Sequence, residues 1–191
     1  MKSIKILSTT AILGYGFPMA SFEAGMKKNP DCIAVDAGST DPGPYYLGAG
    51  VSFTDYYAVK RDLGIMIQAG IEHHVPVLVG TAGGSGAKPH LDWTIKIVKE
   101  IAEENNLHFK MAIIEADIDK EILYKAFDEG KIKPLHPAPE CTKDDIKDST
   151  YIVGQMGVEP FIEALKQDVD VIIAGRAYDP TVFAALPILR G

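Results

Sequence analysis

Small, hydroxyl-bearing or ionisable residues follow each of five short apolar runs in the 191-residue chain. The clearest case is Asp36, which comes directly after the apolar residues Cys32–Val35. A carboxylate placed there can orient a substrate hydroxyl group, act as a general base, or bind Mg²⁺ through oxygen. The other runs end in comparable segments, which are Ser8-Thr9-Thr10, Gly80–Gly86, Glu115-Ala116-Asp117 and Gly175–Asp179. The chemistry of this chain is therefore predicted to lie where the apolar runs end.

Two further side chains could bind an anion or move a proton. Arg176 follows the apolar run Val171–Ala174 after a single glycine, and a guanidinium group held there can bind a carboxylate or phosphate with two parallel hydrogen bonds. Asp179, three residues later, belongs either to the same site or to a structural ion pair with Arg176. His90 stands at a predicted helix start, where a histidine tends to stay neutral and can accept a proton. Its alternative role is packing at the helix N-terminus.

The segment Gly80–Gly86 is rich in glycine and has two interpretations. Glycines let the backbone approach a ligand closely, and successive N–H groups can then bind an anion. The alternative is a turn that needs glycine only for its backbone conformation. The segment lacks the third glycine of the dinucleotide-binding fingerprint and the glycine–lysine spacing of a phosphate-binding loop. We predict that its last four residues, Gly83, Gly84, Ser85 and Gly86, bind the anionic part of a substrate.

Hydroxyl-bearing and acidic residues after the first two runs complete the predicted substrate site. They are Ser8, Thr9, Ser39, Thr40 and Asp41. A rival interpretation makes Asp36, Asp41 and Glu115 oxygen ligands of a Mg²⁺ ion. The residues leave these alternatives open, so a divalent metal is possible and no cofactor is assigned. The histidines and cysteines do not have the spacing of a zinc site.

The elements that must position these residues alternate along the chain. Apolar runs rich in Val and Ile predict parallel strands that are buried on both faces. Amphipathic stretches between them predict helices over residues 56–70, 91–102, 122–127 and 158–165. The alternation predicts a Rossmann-like, three-layer α/β domain over residues 1–191, with a mostly parallel sheet of at least five strands. The predicted strands are Ile4–Leu7, Cys32–Val35, Val75–Val79, Phe109–Ile114 and Val169–Ala174.

The composition argues against several classes of function. The chain has 19 Lys and Arg against 26 Asp and Glu, and the formal charge of -7 disfavours binding of nucleic acid through a broad basic face. No apolar run approaches 18 residues, so no membrane span is predicted. The start of the chain does not have the pattern of a signal peptide, and the two cysteines are far apart. These features predict a cytoplasmic protein with reduced thiols.

Several segments of the chain resemble the acyclic terpene utilisation (AtuA-like) family. They are ILSTTAILGYG at 6–16, VDAGSTDPGPYYLG at 35–48, GGSG at 83–86 with Pro89-His90, VGQMGVEP at 153–160 and AGRAYDP at 174–180. The resemblance covers essentially the whole chain and implies a cytosolic catabolic enzyme, in a family named for the breakdown of citronellol-like and geraniol-like terpenes. Family members look longer than this chain. The resemblance thus also implies an amino-terminal part of a longer architecture or a split subunit.

The residues and the resemblance together predict an enzyme that acts on a small organic acid or its CoA thioester. Arg176 and the Gly83–Gly86 segment would bind the anionic part, and Asp36 or His90 would move a proton, as in a lyase, hydratase or isomerase. The alternative is a non-catalytic or partial subunit that needs a partner chain to complete the site. We also expect self-association, or pairing with that partner, because an incomplete sheet edge has to be covered.

Overall fold

Five parallel strands form a sheet in the order β1-β2-β3-β5-β4. The computed structural model describes residues 3–38 and 44–191. Each predicted strand is confirmed, although four of the five begin two residues later than the apolar pattern does. The strands are β1 (Ile6–Ser8), β2 (Cys32–Asp36), β3 (Val77–Gly80), β4 (Met111–Ile114) and β5 (Val171–Ala174).

Helices connect the strands and confirm the four predicted amphipathic stretches, which correspond to the third, fourth, fifth and seventh helices. Asp119 caps the fifth helix, since its side chain accepts a hydrogen bond from the N–H of Glu121. The first, second and sixth helices, which are six to eight residues long, were not predicted. The helices are α1 (Met19–Met26), α2 (Pro44–Ala49), α3 (Tyr56–His73), α4 (Lys88–Glu104), α5 (Lys120–Asp128), α6 (Lys143–Asp148), α7 (Glu159–Leu165) and α8 (Thr181–Arg190).

The order of the strands explains the three layers. The chain advances across the sheet from β1 to β4 and then turns back to β5. Because such crossovers are right-handed, the reversal moves the connecting helices to the other face. One apolar core accordingly holds Phe22, Leu63 and Ile97 from α1, α3 and α4, and the second holds Phe161 and Leu186 from α7 and α8. The predicted three-layer α/β fold is confirmed.

The reversal also marks where a ligand would bind. β3 and β5 are neighbours in the sheet, but β3 leads to α4 on one face and β5 leads to α8 on the other. In open α/β sheets, ligands bind in the crevice beyond the carboxyl ends of two such strands. The loops that follow β3 and β5 therefore flank the candidate site.

No helix in the described part of the chain has the length and apolar character needed to span a membrane.

Candidate functional site

Asp36 is the last residue of β2 and lies opposite Gly80 of β3. Its side chain is buried, with 8% of the residue exposed, and its Oδ1 accepts a hydrogen bond of 3.1 Å from the N–H of Gly38. Burial raises the pKa of Asp36 to about 6, the negative charge of Asp179 acts in the same direction, and Arg176 acts against it. Asp36 is therefore a carboxyl group that can both take up and release a proton near neutral pH.

Arg176 lies in the loop after β5 and is 9% exposed. Its backbone is fixed at both ends, because its N–H donates to the carbonyl of Gly86 and its carbonyl accepts from the N–H of Met156. Within residues 3–38 and 44–191, the guanidinium group makes no hydrogen bond or ion pair, so the alternative pairing with Asp179 is not formed. A largely buried guanidinium group with unused donors is suited to bind a carboxylate or phosphate.

The loops after β3 and β5 are joined through Thr81. Its N–H donates to the carbonyl of Gly175 at 3.0 Å, and its hydroxyl group both donates to the carbonyl and accepts from the N–H of Ala177. Thr81 is fully buried and adopts a left-handed conformation with φ 52°. This residue was missed in the sequence, where a threonine beside glycines gives no signal beyond its place after β3. Its hydrogen bonds hold the backbone around Arg176 in one conformation.

The glycines of the loop after β3 contact protein atoms. A Cβ atom at Gly83 would lie 2.7 Å from the Cβ of His90, and one at Gly86 would lie 2.2 Å from the backbone nitrogen of Arg176. Both glycines have positive φ angles, of 63° and 76°. These contacts favour the interpretation in which glycine serves close packing and backbone conformation. Anion binding by Gly83–Gly86, of which Ser85 is partly exposed, stays a prediction.

His90 lies in the first turn of α4 and is 1% exposed. Its Nε2 lies 3.0 Å from the carbonyl oxygen of Tyr46 and 3.2 Å from that of Val51. Because carbonyl oxygens only accept, Nε2 carries the proton and donates to them. In the described part of the chain, Nδ1 is buried and has no hydrogen-bond partner. His90 thus ties α2 and the residues after it to α4, and a role in proton transfer stays a prediction.

The other predicted site residues differ in their exposure and in their distance from Asp36. Ser8 is exposed at the end of β1, and the hydroxyl group of Thr9 lies 3.5 Å from the sulfur of Met66 on α3. Asp179 is exposed in the loop after β5, near enough to Asp36 to raise its pKa. Three of the predicted residues, Ser39, Thr40 and Asp41, lie outside the described residues.

The structure does not bring together the predicted magnesium ligands Asp36 and Glu115. β3 and β5 lie between β2 and β4, which places the two strands about 14 Å apart at ordinary strand spacing. Glu115 instead lies on the surface, 3.7 Å from the ammonium group of Lys88. Among the residues that the structure describes, no group of three His, Cys, Asp or Glu side chains is arranged to hold a metal ion. Asp41 is outside this comparison.

A second buried carboxylate, Asp62 on α3, was missed in the sequence. It is 0% exposed, and its Oδ2 accepts hydrogen bonds from the N–H groups of Gly14 and Gly16, at 2.9 Å and 3.0 Å. Its Oδ1 accepts two more from Nε and Nη2 of Arg61. The available signal is an acidic residue directly before Leu63, within the apolar stripe of this helix. Asp62 fixes the loop after β1.

Comparison with known families matches the chain to one of them. The model of the acyclic terpene utilisation family protein AtuA matches residues 59–189, more than two thirds of the chain. The chain belongs to the AtuA family. No curated protein and no solved structure matches it. The matched stretch includes Asp62, the loop after β3 and Arg176, and it begins after Asp36.

In this AtuA-family chain, the sheet edge combines a buried carboxyl group with a cationic group. Asp36 ends β2, and Arg176 follows β5, on either side of the loop after β3. The positive charge of Arg176 acts on the pKa of Asp36, so the two side chains share one electrostatic environment. Such a site can bind an anion at Arg176 and exchange a proton with it at Asp36.

Proposed function

We propose that this AtuA-family chain is an enzyme that binds a small organic acid or its CoA thioester and transfers a proton on it, as in a lyase, hydratase or isomerase. One observation carries the proposal. A buried carboxyl group with a pKa raised to about 6 shares the sheet edge with Arg176, whose guanidinium group has no partner among the described residues. Burial of an unpaired charge is costly, and a bound anion would offset that cost.

The proposed step uses both groups. Arg176 hydrogen-bonds to the carboxylate or thioester oxygen of the substrate and so fixes its orientation. Ionised Asp36 takes a proton from the carbon next to the carbonyl group, and the electron pair of that C–H bond moves towards the carbonyl oxygen. The guanidinium group of Arg176 stabilises the negative charge that forms on this oxygen. Protonated Asp36 can then return the proton to the substrate at the same or another carbon.

The family and the surface of the site both favour a substrate with an apolar chain. Oxidised acyclic terpenes carry one acid group at the end of a branched hydrocarbon chain. Exposed tyrosines follow three strands at the carboxyl edge of the sheet, namely Tyr15 after β1, Tyr45 after β2 and Tyr178 after β5, with exposed fractions of 66%, 71% and 59%. Tyr178 lies two residues after Arg176, and the three rings offer apolar surface along this edge of the sheet.

Deuterium uptake tests the proposed reaction without knowledge of the final product. The full chain is incubated in D₂O with the CoA thioester of citronellate, and NMR follows the hydrogens next to the thioester carbonyl group. We expect the wild-type chain to exchange them and Asp36→Asn to be slower by about 100-fold or more. The rate should fall as the pH is lowered through about 6, because Asp36 then becomes protonated.

Two further variants make this test specific. Arg176→Gln should weaken binding of the thioester about tenfold or more in calorimetry, since a hydrogen bond to a charged group is lost. Asp128→Asn removes an exposed carboxylate on α5 and should behave as wild type. Undiminished exchange by Asp36→Asn would reject its assigned role. Unchanged binding by Arg176→Gln would reject the anion site.

The alternative, a partial subunit that needs a partner chain, and the expected self-association both stay predictions. The observation that favours them is apolar exposure around and after β4, which is paired on one side only among the described residues. Ile113 on β4, Ile122 on α5 and Leu135 beyond it have exposed fractions of 46%, 64% and 87%. Under this alternative, the isolated chain binds the thioester but does not exchange its hydrogens.

A further inference from the structure

The loop between β1 and α1 supports the backbone of Asp36. Leu13 of this loop is buried, and its N–H donates a hydrogen bond of 3.1 Å to the backbone carbonyl of Asp36. On the other side, the N–H of Ala37 donates to the carbonyl of Gly80 at 2.8 Å. Asp36 is therefore held between its sheet neighbour β3 and the loop after β1, and its position depends on both.

Asp62 and Arg61 hold that loop against α3. The N–H groups of Gly14 and Gly16, on either side of Tyr15, both donate to Oδ2 of Asp62, while Arg61 occupies Oδ1. A carboxylate that accepts backbone N–H groups and a two-pronged arginine contact is strongly held. Leu13 is joined directly to the first of these glycines, so the carboxylate of Asp62 fixes the residue that bonds to Asp36.

The fit between loop and helix leaves little room for movement. A Cβ atom at Gly14 would lie 2.9 Å from Cγ2 of Val59, and one at Gly16 would lie 2.7 Å from Nη2 of Arg61. Both glycines have positive φ angles, 98° and 79°, which few other residues adopt at low cost. The loop thus packs closely against α3, and the carboxylate of Asp62 bonds to it there.

We propose that Asp62 is a positioning residue, which holds the Gly14–Gly16 loop on α3 so that the N–H of Leu13 stays bonded to the backbone carbonyl of Asp36. The reacting role of Asp36 rests on the proposed function, whereas the positioning rests on the hydrogen bonds alone. Arg61 is the partner that orients the carboxylate of Asp62 through two hydrogen bonds to Oδ1.

Amide hydrogen exchange directly measures how well the N–H of Leu13 is held in its hydrogen bond to Asp36. Asp62→Ala removes the acceptor for both glycine N–H groups, and we expect the amide of Leu13 to exchange about tenfold faster or more. Asp62→Asn keeps one oxygen acceptor for the two glycine N–H groups, and its NH₂ group then faces the half-exposed side chain of Arg61, which can turn into solvent. Leu13 should therefore exchange at nearly the wild-type rate. Asp170→Ala is the matched control, because the side chain of Asp170 also accepts a backbone N–H, that of Lys110, at the opposite edge of the sheet. It should leave Leu13 unchanged.

Titration of the Asp36 carboxyl carbon by NMR gives the second readout. A released loop lets water reach Asp36, so in Asp62→Ala its pKa should fall by about one pH unit or more towards 3.8. In Asp62→Asn it should stay close to the wild-type value. The proposal is overturned if Asp62→Ala changes neither the exchange rate of the Leu13 amide nor the pKa of Asp36. It is also overturned if Asp62→Asn lowers the pKa of Asp36 as much as Asp62→Ala does, because the loss of the Asp62 charge would then explain the shift.

A second variant covers the case in which Asp62→Ala does not fold. Gly14→Ala displaces the loop through Val59 and leaves Asp62 in place, so it should accelerate exchange at Leu13 and lower the pKa of Asp36 in the same way. Unchanged values in that variant would also overturn the proposal. None of these measurements uses a substrate, so a chain that fails the deuterium-uptake test can still pass this one.

Discussion

Two regions at the carboxyl edge of the sheet each place an arginine near a buried aspartate, and they differ in how completely the charges are bonded. In the region after β1, Asp62 accepts four hydrogen bonds, two from Arg61 and two from backbone N–H groups. In the region around β2, β3 and β5, the one backbone hydrogen bond that Asp36 accepts from the described residues comes from Gly38, and the hydroxyl group of Thr81 adds a weaker interaction. The guanidinium group of Arg176 has no hydrogen-bond or ion-pair partner among those residues.

This difference separates charges that serve the fold from charges that are available to a ligand. A buried ionic group whose hydrogen-bonding capacity is filled by its own chain stabilises one conformation. A buried ionic group with unused capacity costs stability until something binds to it, and such groups are concentrated at functional sites. The backbone of the second region is nevertheless tightly packed. The unused hydrogen-bonding capacity there therefore belongs to side chains.

The largest effect should come from breaking that packed backbone. Gly86→Ala would place a Cβ atom 2.2 Å from the backbone nitrogen and 2.6 Å from Cα of Arg176, which cannot move aside as a flexible side chain would. We expect the free energy of unfolding to fall by about 3 kcal/mol or more, from overpacking and the positive φ together. Urea denaturation measures the change.

Gly130 provides the matched control for this prediction. It also has a positive φ, of 66°, but a Cβ atom there would meet nothing within 4 Å. Gly130→Ala should therefore cost only the conformational part, about 1 kcal/mol. Equal losses in the two variants would show that the contact between the loops after β3 and β5 adds nothing to stability.

A smaller effect, of opposite sign, should follow from neutralising Asp36. The folded chain favours protonated Asp36, so between pH 3.8 and about 6 it binds more protons than the unfolded chain does. Its stability therefore falls as the pH rises through this window and becomes constant above it. Asp36→Asn should remove this slope and raise the free energy of unfolding at pH 7 by about 2 kcal/mol. Urea denaturation at several pH values checks both statements.

The exposed carboxylate of Asp128 gives the comparison for that measurement. Asp128→Asn should change the free energy of unfolding by about 0.5 kcal/mol or less and keep the wild-type slope with pH. If Asp36→Asn lowers stability at pH 7, then Asp36 is bonded as fully as Asp62 is, and the contrast between the two regions fails.

The sequence was sufficient to predict the strands and to place Asp36 and Arg176 at one edge of the sheet. Apolar runs buried on both faces identify parallel strands, and Asp36 and Arg176 stand directly after two of them. Thr81 and Asp62 were missed because their partners are distant in the chain. Thr81 bonds to Ala177, 96 residues away, and Asp62 bonds to Gly14, 48 residues away. No local pattern in a single sequence encodes such backbone contacts.

The order of the strands in the sheet also could not be predicted from the sequence. Alternating strands and helices predict a parallel sheet but do not indicate that β5 lies between β3 and β4. That insertion separates Glu115 from Asp36 and brings Arg176 beside the loop that follows β3. Whether the magnesium candidates are grouped thus depends on a strand order that the residues alone do not specify. The electrostatic effect of Arg176 on Asp36 follows from the same order.

The smallest expected effect compares the two arginines directly. Arg61→Gln removes two hydrogen bonds from the buried carboxylate of Asp62 and should lower the free energy of unfolding by about 1 kcal/mol, because Arg61 itself is half exposed. Arg176→Gln breaks no hydrogen bond or ion pair of its side chain within the described residues and removes a largely buried charge. It should leave the free energy of unfolding within about 0.5 kcal/mol of wild type or raise it. Urea denaturation at one pH compares the free energies of unfolding of the two variants. If Arg176→Gln lowers this free energy more than Arg61→Gln does, Arg176 stabilises the fold, and its guanidinium group is not available to bind an anion.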